Sequence, residues 1–131
     1  MATDSLERLR RRAEYLRVQG AERRSAQPGL LLQAALAPES SSRAAIRVGF
    51  TASRKVGNAV LRNRARRRLK ALAREIMPQH AVPGHEYVLV ARKATPERGF
   101  AELRRDLEAA LRRLKLWQAV PVLAASPEPG A

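Results

Sequence analysis

With 131 residues and 45% hydrophobic content the chain can bury the core of one domain, yet 26 Lys and Arg against 12 Asp and Glu leave it at +14. An excess of that size repels itself in the compact state and points to a polyanionic partner, nucleic acid ahead of an anionic membrane surface. The absence of cysteine excludes disulfides and thiolate metal sites, and no run approaches the roughly 20 apolar residues of a membrane span. The opening MATDSLERLRRRAEYLR lacks the apolar centre of a secretory signal, so a soluble cytoplasmic protein is expected.

Over residues 5–18, Leu6, Leu9, Ala13 and Leu16 recur at helical spacing between arginines, and Gly20 marks a stop. The QPG of residues 27–29 predicts a turn, and the LLLQAAL that follows predicts a strand. In AAIRVGFTAS, Ile46, Val48, Phe50 and Ala52 alternate with Arg47, Gly49, Thr51 and Ser53, the period of a half-buried strand. The two strands, joined by a polar loop, are expected to form an antiparallel pair. A helix is predicted from an Asn58 N-cap to about Met77, with Pro78 ending the pattern. EYVLVAR predicts a third strand with Arg92 and Lys93 at its end. The stretch ATPERGFAELRRDLEAALRRLKLW predicts a long amphipathic helix through Phe100, Leu103, Leu107, Ala110, Leu111 and Leu114. Residues 118–131, rich in Pro and Ala, are expected to be a disordered tail behind a single RNA-binding domain over 1–117. The order α-β-β-α-β-α, with room for an extra short strand, predicts a single-domain α+β sandwich.

The central helix carries the strongest signal. At about 100° per residue, Leu61, Ala65, Leu69, Leu72 and Ile76 share a stripe roughly 80° wide. Arg62, Asn63, Arg66, Arg67, Lys70 and Arg74 occupy a broad face away from it, with Arg64 and Arg68 nearer the core margin. An ordinary solvated face mixes signs, because Glu–Lys pairs at i,i+4 stabilise it. Here no acid interrupts between Arg47 and Glu75, and Arg62, Arg66, Lys70 and Arg74 repel one another at i,i+4. Repulsion without structural benefit argues for a polyanion. Arginine suits bidentate phosphate contacts, and Asn63 can bond a phosphate, a 2′-hydroxyl or a base edge. Small aliphatics suit packing on a sheet better than insertion into a membrane surface, and flanking strands argue against a helix-turn-helix.

The run RVGFTASRKVGNAVLRNRARRRLKALARE closely resembles the signature region of the bacterial ribonuclease P protein component, and YVLVARK resembles that family's last core strand. The resemblance extends over roughly residues 5–117. It implies an α+β fold like the second domain of ribosomal protein S5, with a left-handed βαβ crossover through the basic helix. It also implies an accessory subunit of a ribonucleoprotein whose RNA removes the 5′ leader of precursor tRNA. The partners implied are that catalytic RNA and precursor tRNA, with Mg²⁺ bound by the RNA, none held tightly by the protein, and no membrane. Carried across, the RNA-facing set is Ser53, Arg54, Lys55, Asn58, Arg62, Asn63, Arg64, Arg66, Arg67, Lys70 and Arg74. Arg68 stands where the family often has an apolar residue. The leader cleft is expected from Tyr15, Arg17, Gln33, Phe50 and Arg92, with core packing an equal alternative for Phe50, which alternates onto the apolar face, and with Gln19 and Gln33 at positions where the family offers further aromatics.

Hydrolysis by the protein itself would want clustered carboxylates around Mg²⁺, and the aspartates are only Asp4 and Asp106. His80 and His85 flank a Pro-Gly loop as polar surface, and Trp117 is expected to pack. No catalytic or metal-binding residue is therefore expected. A ribosomal or other structural RNA-binding protein is the alternative that size and charge equally allow.

Overall fold

The computed structural model describes residues 6–39 and 44–119; the predicted tail beyond residue 119 lies outside them. Five strands form one mixed sheet in the order β1-β4-β5-β3-β2. They are β1 (Leu6–Arg8), β2 (Arg23–Gln27), β3 (Leu30–Leu36), β4 (Ile46–Thr51) and β5 (His85–Ala91). Three helices, α1 (Arg12–Gly20), α2 (Ala59–His80) and α3 (Phe100–Arg113), cover its faces. The α+β architecture is the one expected.

Side-chain alternation sends Tyr87, Leu89 and Ala91 of β5, with Leu30, Leu32, Ile46 and Val48, to the face beneath α2 and α3. Leu69, Leu72, Leu103, Leu107 and Leu111 meet them there with no exposed surface, each contributing about 1.5–3 kcal/mol of burial. The buried stripe of α2 is wider than the sequence wheel suggests, since Ala73 and Met77 are also fully enclosed. The opposite face takes α1, which packs Val18 against Ala35 and Val88. Tyr15 lies so close to Gly49 that a Cβ there would sit 2.5 Å from its ring, so β4 needs glycine at that position.

Four expectations are corrected. The single helix over residues 5–18 is instead a strand followed by a shorter helix. Leu6–Arg8 pairs in parallel with Ile46–Val48, and the Leu9 N–H donates to the Val48 carbonyl (3.0 Å), so sheet pairing overrides local helical spacing. The strands β3 and β4 do not pair with each other. Both flank β5, β3 antiparallel and β4 parallel, so β4-α2-β5 is a parallel βαβ unit. Helix α2 runs past Pro78 to His80, because so near the end the ring removes only one backbone bond, and Ala81 N–H still donates to Met77 (3.0 Å). Helix α3 begins at Phe100, five residues after Thr95, whose buried hydroxyl donates to the Gly29 carbonyl (2.6 Å). The extra strand is β2, an edge strand hairpinned onto β3. Gln118, assigned by sequence to the tail, donates through its N–H to His80 (2.7 Å).

Charge also holds α1 to the sheet. Glu86 has no exposed side-chain surface and is met by two Arg17 nitrogens at 2.9–3.1 Å and by Arg47. Arg47 also donates to Glu14 (2.7 Å), whose other oxygen accepts the N–H groups of Arg10 and Arg11 at the helix start. The Arg11 N–H first, then the Arg47 guanidinium and the Arg10 N–H, lower the Glu14 carboxyl to about 2. A carboxylate whose folded value is depressed stabilises the fold fully above its unfolded value near 4.5, and that contribution is lost as pH falls through about 2. Glu14→Gln is therefore expected to lower stability at neutral pH and to flatten its decline between those two values. Denaturant titration at several pH values checks this; an unaltered pH profile would contradict it.

Candidate RNA interface

The basic surface starts at a turn. Ser53 Oγ accepts the Lys55 N–H (3.3 Å), Val56 is buried as its anchor, and Arg54 and Lys55 are left in solvent. Gly57 then takes φ +145°, and a Cβ there would come within 2.6 Å of Leu61, so the chain enters α2 through a position that favours glycine. Asn58 caps the helix as expected, its Oδ1 accepting the Leu61 N–H (3.0 Å).

From that start α2 presents Asn63, Arg64, Arg67 and Arg74 exposed and Arg62, Arg66 and Lys70 half-buried. Arg62 donates to the Gly57 carbonyl (2.9 Å), bracing the turn. Arg66 donates to Asn63 Oδ1 (2.7 Å), which leaves the Asn63 amide hydrogens to face outward. Among the described residues none of these cations, nor Arg54 or Lys55, forms an ion pair. Six acids are engaged elsewhere: Glu7, Glu14 and Glu86 by Arg47, Asp106 by Arg98, Glu75 by Arg104 and Glu108 by Arg112. Lys70 is held below its ordinary value, by Arg8 first, then by burial and by Arg66 and Arg74. Arg68 is different. Its guanidinium donates to the carbonyls of Thr95 (2.6 Å) and Arg98, fastening α2 to the turn before α3.

A second surface lies on the α1 face of the sheet. An open groove of about 610 Å³ is floored by Ala26, Leu31 and Val90 and edged by Ser53, Lys55, Arg92 and Lys93. One row further in, Gly49, Val88 and Gln33 are neighbours across three strands, with the Tyr15 ring over Gly49. Tyr15, Gln33 and Arg92 thus share this face, although Arg92 also donates to the Gln27 carbonyl (2.9 Å). Two members of the expected cleft do not fit. Arg17 spends its guanidinium on buried Glu86, a partner 69 residues away. Phe50 points to the other face, as its parity with Val48 dictates, where it packs against the α2 core under the Arg8 guanidinium (5.6 Å to the ring centroid). Sequence reasoning left out Lys93 and Arg8. The ARK ending of β5 could have indicated Lys93, whereas Arg8 nears Lys70 only because β1 is a strand.

His80 stacks on Trp117 (3.9 Å, 6° between planes), and His85 Nδ1 lies 3.1 Å from the Pro83 carbonyl oxygen. Among the described residues no three His, Asp or Glu side chains gather where a metal ion could be held. No helix among them is long and apolar enough to cross a membrane.

Fold and surface together define a small basic α+β domain in which one helix and the turn before it present a continuous run of cations, Arg54 to Arg74, without a carboxylate partner among the described residues. The family model Ribonuclease P matches residues 4–115. The ribonuclease P protein component of Paramagnetospirillum magneticum is 51% identical over 110 residues, covering 83% of each chain. That of Ruegeria pomeroyi is 43% identical over 114 residues, covering 86% of this chain and 90% of its own. Among solved structures, the RNase P protein of Staphylococcus aureus superposes with a TM-score of 0.69 at 21% identity, over 85% of this chain and 97% of that one. The RNase P protein of Thermotoga maritima gives 0.64 at 23% identity, over 83% and 96%. The chain belongs to the ribonuclease P protein family: it is the protein subunit of a ribonuclease of tRNA 5′ processing.

The two neighbouring arginines of α2 should separate structure from recognition. Arg68→Ala strands two carbonyls and is expected to cost about 1–3 kcal/mol of stability, while Arg67→Ala, at an exposed side chain with no hydrogen bond or ion pair among the described residues, should stay within about 0.5 kcal/mol of the parent. Denaturant melts of both variants check the contrast; equal losses would contradict the separate roles.

Proposed function

We propose that the α2 face and the Ser53–Lys55 turn dock on the catalytic RNA of ribonuclease P, and that the groove beside Tyr15 holds the single-stranded leader of precursor tRNA. The observation that carries this reading is the segregation of charge. The acids that form ion pairs do so with Arg17, Arg47, Arg98, Arg104 and Arg112, whereas Arg64, Arg66, Arg67, Lys70 and Arg74 meet no carboxylate among the described residues. Phosphates brought to that face replace like-charge repulsion with charge-assisted hydrogen bonds and release counterions.

The groove supplies a partly apolar floor with Arg92, Lys93 and Lys55 at its margin, and the half-buried Tyr15 and Gln33 lie one row further along the same face. Single strands bind by stacking and by charge along the backbone. With one ring on this face, the leader is held more by charge and hydrogen bonding than by successive stacks. The protein leaves the chemistry to the RNA. The carboxylates that come together, Glu7, Glu14 and Glu86, meet on the Arg47 guanidinium, which does not suit a Mg²⁺ site, and the metal of the holoenzyme is held by RNA. What the protein contributes is positive potential that lets two anionic RNAs approach, lowering the Mg²⁺ they require. Nothing in this role calls for a membrane, and it belongs in the cytoplasm, where precursor tRNA is made.

Reconstitution tests the reading. Adding the chain to its catalytic RNA at low Mg²⁺ should restore leader removal, and the chain alone should cut nothing. Absence of stimulation, or cleavage by RNA-free protein, would overturn it. Arg66→Ala and Arg67→Ala should each weaken RNA binding and lower the log–log salt slope by about 0.7 to 0.9; an unchanged slope would show that these side chains do not meet phosphate.

A further inference from the structure

Where α2 packs over the neighbouring strands β1 and β4, the structure forms a small open recess of about 180 Å³ distinct from the groove beside Tyr15. Its walls are apolar, made by Leu6, Val48 and Phe50, and its rim carries Arg8, Lys70 and Arg74. Arg8 stands 5.6 Å from the Phe50 ring centroid, within cation–π range. None of the three rim cations has a carboxylate partner among the described residues. The acid that also lines the recess, Glu7, lies 3.7 Å from Arg47 on the far side of β1. The depressed Lys70 ammonium reports the same crowding of positive charge.

Such a recess has two halves with different tastes. A phosphate alone would satisfy the rim and leave the aromatic wall unused. A duplex would present phosphates with its bases already stacked. A lipid chain or apolar peptide would use the walls and leave the cations bare. One ligand class uses both halves, a nucleotide whose flat base has left its stack. The volume also falls below the roughly 300–1,000 Å³ of ordinary small-molecule pockets, which restricts the occupant to a single such unit.

We propose that the recess between β1 and α2 takes one unstacked nucleotide of the RNA bound on α2, its base against Phe50 and its phosphate between Arg8, Lys70 and Arg74. This rests on the reading of α2 as an RNA-docking face and adds a specific anchor to it. It also gives Phe50, absent from the groove of Tyr15, a role on its own face. The strand β1 is part of the site, since it brings Arg8 to Lys70.

Two measurements on the full-length chain test it. In the first, 5′-AMP and inorganic phosphate are titrated separately while the Phe50 ring resonances are followed by NMR. AMP should shift the ring and bind several-fold more tightly than phosphate; equal affinities with an unmoved ring would overturn the proposal. In the second, Phe50→Leu, which keeps the site apolar, is compared with Arg67→Ala for binding to the catalytic RNA and to precursor tRNA with and without its leader. Phe50→Leu should weaken one of these complexes about tenfold with the salt slope unchanged. The loss is expected with the catalytic RNA, and loss only with leader-bearing tRNA would overturn the assignment to the RNA bound on α2. If Arg67→Ala weakens binding and Phe50→Leu does not, the recess is no nucleotide site while the α2 interface stands. If neither variant changes binding, both readings fall. The AMP titration decides even should Phe50→Leu fail to fold.

Discussion

The carboxylate of Glu86, without exposed side-chain surface in the middle of the sheet, is where the charge of this protein is first sorted. An unpaired carboxylate there would cost several kcal/mol, so Arg17 from α1 and Arg47 from β4 close on it, and Arg47 gathers Glu14 and Glu7 as well. Similar pairings tie Asp106 to Arg98 and Glu75 to Arg104. Each acid so engaged is one that cannot neutralise α2. Within an overall charge of +14, the run from Arg54 to Arg74 is thereby left without a carboxylate partner among the described residues.

That surface is rigid because α2 is clamped along its length. Its start is fixed by the Asn58 cap and the Arg62 bond to Gly57, its middle by Leu69 and Leu72, and its flank by Arg68 reaching the turn before α3. Arg67 and Arg68 are adjacent and chemically identical, yet about 100° of helical rotation turns one to solvent and the other to structure. A family identity at the level of the whole chain does not make that distinction; side-chain geometry does.

Much of this was legible in the sequence where the signal is local and periodic. The α2 stripe and β4 follow from spacing, because period 3.6 and period 2 leave separate marks, the Asn58 cap follows from its residue type, and β3 and β5 follow from the shortness of their apolar runs. What escaped depends on contacts distant along the chain. Leu6–Arg8 has helical spacing and becomes a strand because Val48 accepts its neighbour's N–H. The edge strand β2 buries little beyond Ser25, so RRSAQ gives no hydrophobic pattern to detect. The pairing of β3 and β4 with β5 requires knowing that a third strand inserts between them. Arg17 looked like a cleft cation because Glu86, which claims it, lies 69 residues away. Phe50 was assignable by parity alone: it shares Val48's face, and Tyr15 covers the other at Gly49.

If location rather than total charge determines binding, two reversals of equal net charge must behave differently. Arg67→Glu on α2 and Arg105→Glu on the exposed side of α3 each lower the charge by two, and affinity for the catalytic RNA at fixed salt compares them directly. The account predicts a loss of at least tenfold for the first and little change for the second. Equal losses would mean that the cations act as a diffuse cloud and that the ordering of α2 has no bearing on recognition.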